Sequence, residues 1–294
     1  MTHSIVPNLF VLTVAAVCLL TTSNRLLGQD DQLIDLIQQV EAQLDARVGV
    51  TVVVHDSDLR WEYQADHRFP MSSTFKTLAC AALLARVDAG EAQLDRIVRF
   101  SKTDLVEYSP VTESKADTAG MTLGELCAAT IAISDNTAGN LVLQAIGGPA
   151  ALTLFVRSLG DDITRLDRWE TELNEAVPGD SRDTTTPNAM ARLLEELLFG
   201  TALSVAAQAQ LVTWLKANTV GDALLRAGIP EDWQIGDKTG AGGYGSRSIA
   251  AVMWPPIGSP VIATIYITET EASFAARNAA IASIGRALAA TVTD

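Results

Sequence analysis

Ser248-Ile-Ala-Ala-Val-Met-Trp254 and Val261-Ile-Ala-Thr-Ile-Tyr-Ile-Thr268 stand near the end of the chain, set apart by Pro255-Pro256-Ile-Gly. Short apolar runs rich in β-branched and aromatic residues, bounded by Pro and Gly, are the pattern of sheet strands. A long helical pattern follows from Ala272 to Ala290. The other end of the chain reverses this order. Leu33, Ile34, Ile37, Val40 and Leu44 recur at helical spacing, Val48 to Val54 is β-branched, and Trp61 to Tyr63 continues as a second strand. Helix-strand-strand at the start and strand-strand-helix at the end predict one antiparallel sheet completed by both termini.

The middle differs. From Ser73 to about Leu215 the pattern is Ala/Leu-rich and helical, with helices expected from Thr74 to Ala89 (ended by Gly90), Thr122 to Ile133, Thr137 to Ile146 and Pro187 to Phe199. The expected fold class is α/β (α+β): an antiparallel sheet flanked by helices, built from 29–71 and 216–294, plus an all-helical domain over 72–215. Residues 167–186 are polar, punctuated by Pro and Gly, and too long for an ordinary connection, which predicts a functional Ω-type loop.

With 294 residues, the chain is long enough for one large or two modest domains. A net charge of −14 without a Lys/Arg cluster argues against nucleic acid and anionic membranes as partners, so an anionic substrate would have to be drawn by local cations. Only His3, His55 and His67 are present. They form no zinc-ligand set, and no Gly-x-Ser-x-Gly elbow offers a Ser-His-Asp triad. No metal or cofactor is expected, and lysine and glutamate remain as the available bases. His55 reads as a strand-end residue.

Ile5 to Leu20 is almost wholly apolar but shorter than a membrane-spanning helix. It reads as part of a secretory signal peptide over 1–28, cleaved after Ser23 or Gly28. The n-region lacks Lys and Arg, so an uncleaved anchor is the alternative; Ala15-Ala16-Val17 before Cys18 is a poor lipobox. Beyond the leader stand Cys80 and Cys127, which in an oxidising compartment either pair or pack as separate thiols.

Three short motifs carry the chemistry: Ser73-Thr-Phe-Lys76, Ser134-Asp135-Asn136 and Lys238-Thr239-Gly240. A serine needs a proton acceptor to become a nucleophile, and a lysine one helical turn away on the same face can be that acceptor. Each motif alone is weak evidence, whereas all three in this order read as a serine acyl-transfer site.

The surrounding residues extend the pattern. Phe69-Pro-Met-Ser-Ser-Thr-Phe-Lys76, Asp104-Leu-Val-Glu-Tyr-Ser-Pro-Val-Thr-Glu113, Arg168-Trp-Glu-Thr-Glu-Leu-Asn174 and Asp237-Lys-Thr-Gly-Ala-Gly242 closely resemble the class A serine β-lactamases from about residue 30 onward. The resemblance implies the fold shared by serine β-lactamases and D-alanyl-D-alanine peptidases, with a monomeric enzyme, periplasmic or secreted, acting on a small-molecule β-lactam.

It also implies the roles. Ser73 is the nucleophile and Lys76 or Glu170 its base, with the N–H groups of Ser73 and Ala241 as the oxyanion hole. Ser134, held by Lys238, passes a proton to the departing nitrogen. Asn136 binds the substrate's side-chain amide, Thr239 and Arg247 bind its carboxylate, and Tyr108 walls the pocket. Glu170 with Asn174 holds the hydrolytic water. Asp135 is a structural acceptor at a turn, Arg168 and Asp183 close the loop by an ion pair, and Cys80 and Cys127 are bridged.

Two departures stand out. Ser72 and Gly242 occupy the positions of bridged cysteines in class A carbapenemases, which counts against carbapenem hydrolysis. Thr171 follows Glu170 where many relatives have proline after an often cis bond. A D-alanyl-D-alanine peptidase or penicillin-binding protein, and a non-catalytic β-lactam sensor, share the three motifs; Glu170 and Asn174 discriminate against both.

Overall fold

The computed structural model describes Met1 and residues 32–293. The leader expected over 1–28 lies, apart from Met1, outside the described residues. A helix over 32–44 (α1) leads into β1 (Arg47–Val54) and β2 (Arg60–Tyr63). The middle of the chain supplies α2 (Phe75–Asp88), α3 (Leu123–Ala132), α4 (Asn136–Ile146), α5 (Pro149–Ser158), α6 (Pro187–Phe199) and α7 (Val205–Lys216). Two short ladders join β3 (Phe69–Pro70) to β6 (Thr184–Thr185) and β4 (Ile97–Val98) to β5 (Met121–Thr122). The chain then returns as β7 (Gln234–Ala241), β8 (Arg247–Trp254), β9 (Val261–Thr268) and α8 (Phe274–Thr293).

The main sheet has five strands in the order β2-β1-β9-β8-β7, antiparallel throughout. Both chain ends do complete it, because β1 pairs with β9 along its whole length, Val50 opposite Ile265. Both faces are covered. Val48, Val50, Val52 and Val54 pack with Ile37 of α1 and Ile284 of α8, while Val53, Val252, Ile262 and Tyr266 turn into the larger core shared with the middle helices. Successive side chains of a strand point to opposite faces, so a sheet buried on both reads as unbroken apolar runs.

Capping residues fix the helix starts near the site. Thr122 and Glu125 form a capping box at α3, each side chain accepting from the other's backbone N–H, at 3.2 and 2.7 Å. Asp135 caps α4 by accepting from Ala138 N at 2.8 Å. The helix expected from Thr74 begins one residue later, after a 3₁₀ turn over Ser72–Thr74. A second difference concerns α6, which lies in the span read as all-helical yet packs on the sheet. Asn188 Oδ1 accepts from Thr51 Oγ1 at 2.8 Å, and Pro187 O accepts from Thr264 Oγ1 at 2.9 Å. An apolar helix stripe shows that a face is buried but does not name what covers it.

Cys80 of α2 and Cys127 of α3 are joined by a disulfide, their Cα atoms 5.7 Å apart. Among the described residues no single helix is long and apolar enough to cross a membrane.

Candidate active site

A cleft of about 600 Å³ opens between the middle helices and the end of β7, lined by residues of all three motifs. Ser73 lies in the 3₁₀ turn that feeds α2, where N–H groups at a helix start lack intrahelical partners. Its hydroxyl donates to Glu170 Oε1 at 3.3 Å. Lys76 Nζ stands 3.0 Å from the same carboxylate oxygen, both side chains fully buried. The lysine also donates to Asn136 Oδ1 at 2.6 Å, to the Ser134 carbonyl at 2.8 Å and to Ser134 Oγ at 3.4 Å. Among the described residues no hydrogen bond joins Lys76 to Ser73, so in this conformation the serine hydroxyl is paired with the carboxylate rather than the amine. Burial pushes the Lys76 amine below its usual range, with Glu170 pulling it back up.

Glu170 is held from several sides. Its Oε2 accepts from Asn174 Nδ2 at 2.5 Å, while Asn174 Oδ1 is buried without a partner. Asn140 takes both main-chain groups of Glu170, accepting from its N–H and donating to its carbonyl, each at 2.9 Å. The Glu170–Thr171 peptide is cis. At the ends of the loop, Arg168 Nε donates to Asp183 Oδ2 at 2.6 Å, and Asp183 Oδ1 accepts from the N–H groups of Asp167 and Arg168 at 2.7 and 3.0 Å.

Ser134 sits at φ +66, and Lys238 Nζ donates to its Oγ at 3.0 Å. Lys238 is fully buried on β7, and desolvation, reinforced by repulsion from Lys76, holds its pKa well below the usual value. Asp135 anchors the loop before α3, its Oδ2 accepting from the N–H groups of Val111 and Thr112, both at 2.9 Å. Asn136 Nδ2 donates to Glu107 O at 2.9 Å, and Tyr108 stands half-exposed at the rim with φ +62.

At the end of β7, Gly240 admits the close approach of the Ser72 turn. A Cβ there would meet Ser248 Oγ at 2.4 Å and Met71 O at 2.8 Å. A Cβ on Gly242 would likewise stand 2.8 Å from Ser72 Oγ. Arg247, the first residue of β8, pairs with Ala241, the last of β7. It is buried rather than near solvent, its Nη1 donating to Gly240 O at 3.0 Å and its Nε to Asn278 Oδ1 at 2.7 Å. Its guanidinium lies 4.6 Å from the Phe274 ring centroid. Burial and nearby Arg277 lower its pKa to about 10; it is still a cation at neutral pH.

A β-lactamase enzyme family model matches residues 32–292. This chain belongs to the class A serine β-lactamase family. It is 52% identical to β-lactamase AER-1 of Aeromonas hydrophila over 261 residues, 89% of this chain and 86% of that protein. An ancestral (GNCA) class A β-lactamase shares 55% identity at a TM-score of 0.86, covering 87% of this chain and 98% of that one. A class A β-lactamase of the last common ancestor of Gram-negative bacteria (GNCA4) shares 52% identity at 0.86, over 90% and 99%.

In this class A β-lactamase, the sequence-predicted residues Ser73, Lys76, Ser134, Asn136, Glu170, Asn174 and Lys238 form one connected set of hydrogen bonds and ion pairs. Thr239, Gly240, Ala241 and Arg247 form the facing wall of the cleft. Sequence reasoning missed Asn140 and Asn278. The signal for Asn140 was its place four residues after Asn136, on the same helical face; for Asn278, its place four residues after Phe274 at the start of α8.

Proposed function

We propose that this β-lactamase opens the β-lactam amide of penicillins and cephalosporins through an acyl-enzyme on Ser73, hydrolysed by a water that Glu170 activates. Ser73 Oγ bonds to the lactam carbonyl carbon as its proton passes to the Glu170–Lys76 pair. The N–H groups of Ser73 and Ala241 receive the developing oxyanion. The C–N bond breaks as Ser134 gives its proton to the nitrogen, Lys238 and Lys76 standing at its hydroxyl to replace it. A water then adds to the acyl carbonyl, losing its proton to Glu170, which passes a proton back to Ser73 Oγ as the acyl C–O bond breaks.

One observation carries this reading: the buried, unpartnered Asn174 Oδ1 beside Glu170. An orphan acceptor next to a carboxylate is where a water would donate one hydrogen bond and present its other proton to the base. Neither a peptidase nor a sensor needs such a pair. Turnovers of a chromogenic cephalosporin counted per enzyme test the point: many support a hydrolase, and a single one with a stable adduct would make the protein a sensor. The leader composition and the disulfide support a periplasmic or secreted protein, and we assign a monomer, with no membrane attachment after cleavage.

Thr239 and Arg247 hold the substrate carboxylate in this scheme. Arg247→Ala should raise KM for penicillins by one to two orders of magnitude, since a charge-assisted hydrogen bond contributes about 1.5–3 kcal/mol. Unchanged kcat/KM would remove Arg247 from the binding site.

A further inference from the structure

Asp222 lines the same cleft as Thr239 and Arg247, on the segment between α7 and β7, with its side chain 79% exposed. A solvent-facing carboxylate usually counts for little, and here the question is whether a cation already neutralises it. The nearby one is Arg226, with Nε 3.8 Å from Asp222 Oδ1. That guanidinium is committed elsewhere: it lies 2.7 Å through Nη2 and 2.9 Å through Nε from Oδ1 of Asp237, a fully buried carboxylate. Arg226 is therefore hydrogen-bonded to Asp237, and its contact with Asp222 is the longer and more solvent-exposed one. Glu170, the carboxylate behind Ser73, is buried and paired with Lys76.

The cleft wall thus presents two charges of opposite sign to a ligand: Arg247 with Thr239 for an anion, and Asp222 as an open acceptor for a cation. A concave site with low-dielectric walls focuses such a field on whatever enters it. On the reading that Thr239 and Arg247 hold the ring carboxylate, a cephalosporin carries a further substituent on the neighbouring ring carbon, inside the same cleft that Asp222 lines. We propose that Asp222 is a specificity-determining residue favouring zwitterionic cephalosporins, those with a permanent cation on the substituent next to the ring carboxylate. Penicillins have no substituent of this kind and gain nothing from it.

The test compares kcat/KM for two cephalosporins with the same acyl side chain, one bearing a pyridinium and the other an acetoxy group at that position. Taking the pyridinium/acetoxy ratio in each protein cancels the intrinsic reactivity of the two compounds. Asp222→Asn should lower this ratio about two- to fivefold at low salt, the range of an exposed ion pair, with the change in KM rather than kcat. The difference should vanish near about 1 M salt, where screening acts over about 3 Å. Asp222→Glu should keep the wild-type ratio. A ratio unchanged in Asp222→Asn overturns the proposal. So does an equal fall for both compounds, or a ratio that falls as far in Asp222→Glu, because either would make Asp222 a matter of loop geometry. A wild-type enzyme that hydrolyses neither compound would instead defeat the functional reading on which this inference rests.

Discussion

Glu170→Ala should acylate and then stall, accumulating a covalent adduct on Ser73 visible by intact-protein mass spectrometry. The substitution removes the acceptor of the Ser73 proton, yet it also removes the carboxylate that pulls the Lys76 pKa upward. With burial then opposed only by the more weakly acting Asp135, the amine shifts further down, more of it is neutral at a given pH, and it becomes an available base for the serine proton. The oxyanion donors, Ser134 and Lys238 are untouched. On the proposed mechanism deacylation has no such substitute, since Glu170 and Asn174 together would hold and activate the water. General-base help is typically worth about 10²–10⁴-fold, and the loss of steady-state turnover should be at least that large. Glu170→Gln controls for stability, because a glutamine can still accept from Asn174 but has no basicity; it should stall in the same way. Wild-type turnover in either variant would reduce Glu170 to a buried partner of Lys76.

The parts of this architecture that follow from local pattern were legible in the sequence. The strands from Arg47 to Val54 and from Val261 to Thr268 are apolar and β-branched with sharp boundaries, and their pairing follows once both chain ends have strands to offer. Ser73 and Lys76 could be set on one face because three residues make nearly one helical turn. What needs tertiary contact was hidden. Nothing local to Arg247 at the start of β8 foretells its burial, to which Gly240 O, Asn278 and the Phe274 ring at the start of α8 all contribute contacts. Nor does Glu170 in a polar loop announce an ion pair with Lys76, 94 residues earlier in the numbering of the sequence. Asn140 of α4 holds the loop backbone at Glu170 through two hydrogen bonds, a contact no local pattern shows. The motifs named the residues that the structure brings together in the cleft, and the supporting amides came only with the packing.

Opening the Cys80–Cys127 bridge should cost stability while sparing the chemistry. The bond spans a sequence separation of 47 residues. A constraint of that length on the unfolded chain contributes on the order of 4 kcal/mol in the chain-entropy model. For a protein of this size that corresponds to a fall in Tm of roughly 8–15 °C. The bond sits just beneath the site: Cys80 is four residues past Lys76 on α2, and α3, which carries Cys127, ends two residues before Ser134. Both cysteines are nevertheless fully buried in one large apolar core, with Leu78, Leu83, Leu126 and Ile131 around them on the same two helices. Those contacts hold α2 against α3 without the covalent link, so the positions of Ser73, Lys76 and Ser134 should survive. The Cys80→Ala/Cys127→Ala double variant should therefore melt earlier yet keep kcat/KM at 25 °C within about threefold of wild type. An unchanged Tm, or two free thiols in denatured wild-type protein, would show that the bridge contributes nothing to the mature enzyme. A collapse of activity well below the new Tm would instead mean that the bond, rather than the packed core, aligns the nucleophile with its proton donors.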